Sequence, residues 1–345
     1  MDNSLTMIKQ IFFDKKNVFE NDIVFIDGLW GCGKSLIGPI IAGMEKVEKP
    51  TVSSIFENIS ILLNKNKISF DAADTLFKIY LDEFTYHNQL GRNINLRMYD
   101  DSGVKNNPNF IKDFKKLFVR DIDLESNKFN ETLISVMGHM VLISSDRLLN
   151  LPDKKIRFIE IVRHPLYVFE HWHSYLNRFN DKKILNLTFY EGNNKIPWFA
   201  ETWKEDFINS SHYDRCLLSI IFCYELLFNK IKEHSHKENF LVLSFESIVF
   251  DTDNQLNILS EFIGKSHGKS IKRTLKNQNL PRKTISHGKG YSKYRWSKGS
   301  GDEELDYKSK MKLIIDNCSI TNIENFKRII SVYNKYFPSV LINYI

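Results

Sequence analysis

Several features that would point to other classes of protein are missing from this chain of 345 residues. No apolar run reaches the roughly 20 residues needed to cross a bilayer, so no stable membrane insertion is expected. The N-terminus lacks the basic and then apolar layout of a secretory signal, which predicts a cytoplasmic protein. The four cysteines have no regular spacing, and this argues against both a disulfide framework and a zinc site.

The charge balance is only mildly basic, with a formal net charge of +6 at pH 7. Many of the lysines and arginines fall between residues 265 and 298. A segment of this composition suits a nucleic acid, an anionic glycan or a highly phosphorylated nucleotide as partner. It equally suits a solvated basic loop, so composition alone does not choose between them.

A phosphate-binding loop is the most informative feature that is present. The motif Gly28-Leu-Trp-Gly31-Cys32-Gly33-Lys34-Ser35 follows a short apolar run, predicted as a strand, and precedes a predicted helix. In such loops the backbone N–H groups and the helix N-terminus cradle a phosphate, and the glycines supply positive φ angles. We therefore expect Gly31, Cys32, Gly33, Lys34 and Ser35 to bind a phosphate group of a nucleotide.

Strands and helices alternate along the rest of the chain. Beyond the strand at 23–26, strands are predicted at 94–99, 157–162 and 240–245. Helices are predicted after Ser35 and at 71–90, 110–119, 132–149, 166–178, 213–234, 253–263, 303–316 and 322–335. This order predicts an α/β fold with a doubly wound, mostly parallel sheet flanked by helices in three layers. We expect a single domain over 1–345, with 1–20 as an N-terminal extension and 302–345 as C-terminal helices.

Three polar features come directly after predicted strands. The phosphate loop follows the first strand, Arg163 follows the third and Glu246 follows the fourth. Ligands of such sheets lie beyond the carboxyl ends of the strands. This placement predicts that Arg163 binds an anion. For Glu246 we favour a structural role that ties the sheet to a helix.

Two of these segments resemble the sulfotransferase family. Glu160-Ile-Val-Arg163-His-Pro165 resembles the family's strand that closes on Arg-x-Pro, and Phe245-Glu246-Ser-Ile248 resembles its strand–Phe-Glu–helix element. The resemblance implies a sulfotransferase-like fold of the phosphate-loop superfamily. It implies 3′-phosphoadenosine 5′-phosphosulfate (PAPS) as donor, phosphoadenosine phosphate (PAP) as product and no metal. In the family the arginine matched by Arg163 grips the phosphate on the ribose.

The resemblance also implies roles for other side chains. His139 lies 24 residues before Arg163, near the family's offset for a general base. His171 occupies the position where the family tends to have a second phosphate-binding serine. Arg282 and Lys289 are the candidates for the basic loop that the family places over the ribose phosphate.

The implied reaction is the in-line transfer of a sulfuryl group to a hydroxyl. Lys34 and the loop amides are expected to stabilise the charge that grows on the leaving phosphate, and His139 is expected to take the acceptor's proton. Asp100, Asp101 and Glu83 are the alternative bases. The expected acceptor is a small molecule or glycan, with a carbohydrate or glycolipid favoured, and no nucleic acid partner is expected. Several aromatic residues fit either an acceptor wall or the core: Trp172, Trp198, Trp203, Tyr175 and Phe199.

Two other functions stay open. The order Gly33-Lys34-Ser35 is usual in kinases, so an ATP- and magnesium-dependent kinase of nucleosides or small molecules also fits, with Asp100 or Asp101 as the magnesium ligand. A nucleotide-binding module without catalytic activity is the third possibility. The sequence does not predict the oligomeric state.

Overall fold

A parallel sheet organises the computed structural model, which describes residues 12–97, 103–104, 107–118, 131–179, 187–285 and 299–338. The strands are β1 (Ile23–Asp27), β2 (Thr51–Val52), β3 (Ile134–Met137), β4 (Ile156–Val162), β5 (Thr188–Glu191), β6 (Asn194–Pro197) and β7 (Phe240–Ser244). Five of them form one sheet in the order β2-β3-β1-β4-β7, and every neighbouring pair is parallel. β5 and β6 form a separate antiparallel hairpin.

Helices connect and flank these strands. They are α1 (Lys34–Ala42), α2 (Ile55–Asn64), α3 (Phe70–Leu90), α4 (Phe110–Lys116), α5 (Val141–Ser144), α6 (Pro165–Asn177), α7 (Lys204–Asn209), α8 (His212–His234), α9 (Phe245–Phe250), α10 (Thr252–Ile263), α11 (Ile271–Gln278), α12 (Glu303–Asn317) and α13 (Ile320–Tyr336). A 3₁₀ helix spans Trp198–Trp203. Within the described ranges, every helix is too short or too polar to span a membrane.

β1 lies at the centre of the sheet because the sequence makes it apolar on both faces. All five of its residues are buried, as expected for a parallel strand that is covered by helices on both sides. One hydrophobic core runs from β1 through to α13. The predicted α/β class, with a mostly parallel sheet flanked by helices, is confirmed.

Two predicted elements were wrong. The helix predicted over 132–149 is instead the strand β3, a turn and the short helix α5. The strand predicted over 94–99 is not formed at residues 94–97, and its last two residues lie outside the described part of the chain. Residues 94–98 alternate apolar and polar side chains as a strand does, so the local pattern there was misleading. At 133–143 a short apolar run offered no clear period, and such runs do not separate strand from helix.

The C-terminal helices are fastened to the carboxyl end of the sheet by Glu246, the second residue of α9. Its carboxylate accepts hydrogen bonds from the His164 backbone N–H at 3.1 Å and from the Tyr333 hydroxyl at 2.6 Å. Tyr333 belongs to α13, so Glu246 joins the turn after β4 to a helix far along the chain. The structural role predicted for Glu246 agrees with these contacts.

Candidate functional site

The phosphate loop joins β1 to α1 at the carboxyl end of the sheet. Gly28, Gly31 and Gly33 have φ angles of 145°, 80° and 104°, as the motif predicts. No side chain caps the N-terminus of α1, and Ser35 in its first turn is exposed. The first backbone N–H groups of a helix have no partner within the helix, so this terminus suits an anion.

Two glycines of the loop are required by what packs against them. A Cβ atom at Gly33 would lie 2.2 Å from Cδ2 of Phe245, and one at Gly31 would lie 3.1 Å from Cβ of His171. Phe245 begins α9 after β7, and His171 lies on α6 after β4. The loop is therefore enclosed by the segments that follow β4, the neighbour of β1, and β7, the next strand beyond it.

Lys34 is buried and contacts the loop itself. Its Nζ donates to the carbonyl oxygens of Gly28 at 2.5 Å and Leu29 at 2.9 Å, and it lies 3.5 Å from Cys32 Sγ. The Cys32 N–H, which we expected to face a phosphate, donates to the Leu29 carbonyl at 3.3 Å. A ligand phosphate would therefore have to draw Lys34 away from its carbonyl partners.

Arg163 follows β4 in the turn that leads into α6, where Pro165 occupies the first helical turn. Its Nη1 donates to the Gly31 carbonyl at 2.9 Å, and its own carbonyl accepts from the Tyr224 hydroxyl. Its guanidinium carbon lies 4.3 Å from the ring centroid of Phe245. The buried Nε has no hydrogen-bond partner among the described residues, which leaves one donor for a ligand.

Arg282 approaches the same ring. Its guanidinium carbon lies 6.0 Å from the Phe245 centroid. Nη2 and Nε donate to the carbonyls of Gln278 at 2.9 Å and Asn279 at 3.0 Å, which fixes the side chain on the end of α11. Arg163 and Arg282 thus form a cationic pair around Phe245, next to the phosphate loop.

His139 and His171 lie close to Lys34. His139 follows β3, and burial lowers its pKa well below the ordinary value, with Lys34 and then His171 adding to the effect. Burial, followed by the charges of Lys34 and Arg163, lowers the pKa of His171 to about 4. Both imidazoles are therefore neutral near neutral pH. The charge of Lys34 thus acts on both His139 and His171.

An aromatic cluster flanks the loop on the side of Trp30. The Trp30 ring lies 4.0 Å from Tyr175, 4.8 Å from Trp172 and 5.9 Å from Phe199, measured between centroids. Trp172 is fully buried and its Nε1 donates to the Trp30 carbonyl at 2.9 Å. Trp172 is therefore core, as the sequence favoured, and it supports the loop from behind.

Glu57 is a carboxylate near this cluster that the sequence reasoning missed. It lies in the first turn of α2 and is 2% exposed. Burial raises the pKa of the Tyr175 hydroxyl, and the charge of Glu57 raises it further, which places the two groups near each other. In the sequence Glu57 follows β2 closely, but a strand of two residues is too short to be recognised from its apolar pattern.

The remaining predicted site residues fall into two groups. Glu83, one of the alternative bases, is exposed on α3. Asp100, Asp101 and Lys289 lie outside the described residues.

Among the described residues, one group of potential metal ligands contains none of the predicted site residues. Asp146, Glu233 and His234 offer ligand atoms within 4.8 Å of one another. The Lys230 ammonium donates to Glu233 at 3.0 Å and to Asp146 at 3.4 Å, so the acidic groups already have a cation. We interpret this group as an ion-pair cluster.

Comparison with known proteins gives structural similarity only. No family model and no curated protein matches the chain. The sulfotransferase domain of the Synechococcus PCC 7002 olefin synthase is 12% identical, with a TM-score of 0.42 over 93% of this chain and 98% of that one. The sulfotransferase domain from the curacin biosynthetic pathway is 13% identical, with a TM-score of 0.45 over 92% and 98%.

A third similar structure is the mouse sulfotransferase SULT7A1 complexed with PAP. It is 12% identical, with a TM-score of 0.36 over 94% of this chain and 86% of the mouse chain. All three of these similar structures are sulfotransferases, the family that the sequence motifs resemble. At this identity we take residue roles from the geometry of the chain itself.

Proposed function

We propose that this protein is a sulfotransferase that moves a sulfuryl group from PAPS to the hydroxyl of a small-molecule or glycan acceptor. The observation that carries the proposal is the presence of two neighbouring groups of donors and positive charges, which we interpret as two anion sites. One is the uncapped start of α1 with Lys34, and the other is Arg163 with Arg282 around Phe245. PAPS has two separate anionic groups, the phosphosulfate and the ribose phosphate, whereas ATP has a single polyphosphate chain.

The residues present fit this donor. The unpartnered Nε of Arg163 is a buried donor that a ribose phosphate would satisfy. The N–H groups at the start of α1 and the exposed Ser35 hydroxyl would hold the phosphosulfate. His171 packs on Gly31 and is neutral, so its ring N–H is a candidate donor to either group.

The donor supplies the sulfuryl group, and the chain supplies charge and proton transfer. As the sulfur–oxygen bond to the phosphate breaks, negative charge grows on the phosphate oxygen, and the Lys34 ammonium would stabilise it. Lys34 has the flexible stem needed to exchange the Gly28 and Leu29 carbonyls for that oxygen.

The acceptor hydroxyl must lose a proton as its oxygen bonds to sulfur, and His139 is the proposed base. Its lowered pKa keeps it neutral, and so able to accept a proton, at neutral pH. Glu57 is the second candidate, because it is a buried carboxylate on the aromatic side of the loop.

The acceptor would lie against Tyr175. Its ring lies 4.0 Å from the buried Trp30 ring at an angle of 43° and is only partly buried, so it offers an apolar face beside the loop. Aromatic faces of this kind suit the ring of a sugar or a phenol.

The kinase alternative asks for a carboxylate that can reach a magnesium ion beside Ser35. Among the described residues, Asp27 and Glu160 lie near Lys34 but are fully buried beneath the loop. The groups near Lys34 are the imidazoles of His139, which follows β3, and His171, which lies in the middle of α6. This arrangement favours the sulfotransferase.

Incubation with PAPS and a panel of phenols, sugars and glycolipids tests the proposal, with mass spectrometry as the readout. We expect an acceptor that gains one SO₃ group, with release of an equal amount of PAP. Lys34→Ala is the matched inactive control. If the same panel gives phosphorylated products with ATP and no sulfated products with PAPS, the result would support the kinase instead.

A further inference from the structure

Two carboxylates lie side by side beneath the phosphate loop. Asp27 and Glu160 are register partners on the neighbouring parallel strands β1 and β4, so their side chains point to the same face of the sheet. Asp27 is 0% and Glu160 1% exposed. Oδ1 of Asp27 and Oε2 of Glu160 have no hydrogen-bond partner among the described residues.

The two carboxylates differ in the hydrogen bonds that they accept. Oδ2 of Asp27 accepts a hydrogen bond from the Leu142 N–H at 2.8 Å. Oε2 of Glu160, by contrast, has no donor within the described ranges. The cation nearest to both is Lys34, whose ammonium is held by the loop carbonyls directly above. Two buried anions with one cation leave an uncompensated charge, which is costly unless one carboxyl keeps its proton.

The directions of the pKa shifts agree with one neutral and one ionised carboxyl group. Burial raises the pKa of Glu160 well above its usual range, and the charge of Asp27 raises it further. Burial also raises the pKa of Asp27, but Lys34 and the backbone N–H groups of Leu142, Gly28 and Val141 oppose the effect. Glu160 is therefore the neutral acid, and Asp27 is the ion that balances Lys34.

We propose that Asp27 and Glu160 form a proton-linked pair that positions Lys34. Glu160 stays neutral, and Asp27 takes up a proton from solvent when Lys34 turns from the loop carbonyls to a bound phosphate. The buried Asp27 carboxylate then loses its counter-ion, and protonation removes the unpaired charge. Binding of the ligand should therefore be accompanied by the uptake of up to about one proton per site. The affinity for the ligand should accordingly fall as pH rises. The inference rests on the proposed function only for the identity of the ligand.

Other titratable groups also face Lys34. They are the Cys32 thiol in the loop, His139 after β3 and His171 on α6, and Arg163 adds a fixed positive charge beside His171. A bound anion would raise the pKa values of both imidazoles. The informative quantity is therefore the difference in proton uptake between the wild type and a variant of the pair.

Calorimetric titration with PAP in Hepes and in Tris gives that quantity, because the two buffers differ in ionisation enthalpy. At about pH 8 the phosphates of the ligand are fully ionised. We expect Asp27→Asn to take up fewer protons than the wild type, by up to about one per site. Glu160→Gln should retain both PAP binding and the uptake, since its amide resembles the neutral acid. Asp113→Asn is the control, because Asp113 is also a carboxyl whose pKa burial raises, bonded to Asn107 elsewhere in the fold.

Unchanged uptake in Asp27→Asn would overturn the proposal, as would loss of PAP binding in Glu160→Gln. If Asp27→Asn does not fold, infrared difference spectra of the wild type decide. PAP should then add a protonated-carboxyl band, and its absence would contradict the proposal. A wild type that fails to bind PAP would reject the proposed nucleotide instead, and inorganic pyrophosphate would replace PAP as the probe in the same titrations.

Discussion

Arg163 is fixed before any ligand arrives. Its Nη1 is bonded to Gly31, its plane lies against Phe245, and its carbonyl is held by the Tyr224 hydroxyl. A donor held in this way loses little side-chain entropy when it binds an anion, so more of the interaction remains as affinity. At the residue scale, Arg163 is the main determinant that we propose for the ribose phosphate.

Replacing Arg163 by alanine should weaken PAP binding by about tenfold or more, because a charge-assisted hydrogen bond contributes about 1.5–3 kcal/mol. Calorimetry measures the change. Arg157→Ala is the matched control, since Arg157 lies near the start of β4, the strand that Arg163 follows, and pairs with Asp22 at 2.7 Å at the opposite end of that strand. Equal affinities of Arg163→Ala and wild type would place the ribose phosphate elsewhere.

The proposed base makes a prediction about pH. His139 must be neutral to accept a proton, so turnover should fall as pH drops through its pKa. Burial lowers that pKa well below the ordinary value, which moves the acid limb of the profile well below about pH 6.5.

His139→Ala should lower kcat by about 10²–10⁴ while PAP affinity persists. Steady-state kinetics over a pH series measures both the loss and the limb. Glu57→Gln is the comparison variant. If Glu57→Gln loses turnover to this extent and His139→Ala does not, the base is the carboxylate on α2.

At the scale of elements, the loop depends on how closely α9 approaches it. Gly33 has a φ of 104°, and its missing Cβ would meet the Phe245 ring at 2.2 Å. Arg163 and Arg282 both lie over the Phe245 ring, so a displaced ring would disturb both proposed anion sites at once.

Gly33→Ala should therefore abolish PAP binding and lower the free energy of unfolding by more than the roughly 1–2 kcal/mol of the backbone conformation alone. Gly192→Ala is the control, because Gly192 also has a positive φ, of 57°, but no atom lies within 4 Å of a Cβ there. Calorimetry and denaturant unfolding of both variants provide the comparison. Similar behaviour of the two would mean that the contact with Phe245 is unimportant.

The sequence predicted long elements well and short ones poorly. α3 and α8 have a clear apolar face and side-chain caps at Ser69 and Ser211, and both were predicted within a residue or so. β3 has four buried residues just before the apolar helix α5, so the two merged into one predicted helix. That error hid the position of His139 in a turn at the end of a strand.

The candidate site was only partly accessible from sequence. The phosphate loop, Arg163 and Glu246 were found because motif and strand end coincide in the chain. The pairing of Asp27 with Glu160 depends on the register of β1 against β4, and the approach of Arg282 to Phe245 depends on the path after α11. Neither register nor path is visible in local patterns.

At the scale of the whole molecule, buried polar groups join the C-terminal helices to the site. The Tyr167 hydroxyl on α6 donates to Glu303 of α12, and the other oxygen of Glu303 accepts from the Ile285 N–H at 2.7 Å. Glu246 makes the corresponding link to α13 through Tyr333. Residues beyond 302 are thus part of the support of Arg163.

The buried His164 makes this assembly sensitive to acid. Burial, followed by the charge of Arg163, lowers its pKa to about 3. The unfolded chain binds a proton there below about pH 6.5, but the folded protein does not until about pH 3. Stability is therefore lost as pH falls through this window, at up to about 1.4 kcal/mol per pH unit.

His164→Asn should make this dependence shallower by about that slope. Asparagine removes the titration and can still cap α6, where the His164 ring accepts from the Leu166 N–H at 3.3 Å. Denaturant unfolding at several pH values below neutrality measures the slope. Other acids, such as Glu246, titrate in both proteins and cancel in the difference. Parallel curves would mean that His164 is protonated in the folded state.

The most direct test of the whole account is a calorimetric titration of the protein with PAP and with ATP, each with magnesium and with a chelator. The two adjacent anion sites predict tight PAP binding that does not change on chelation, and much weaker binding of ATP. ATP affinity that equals or exceeds that of PAP, and that vanishes when magnesium is removed, would contradict the sulfotransferase and identify a kinase.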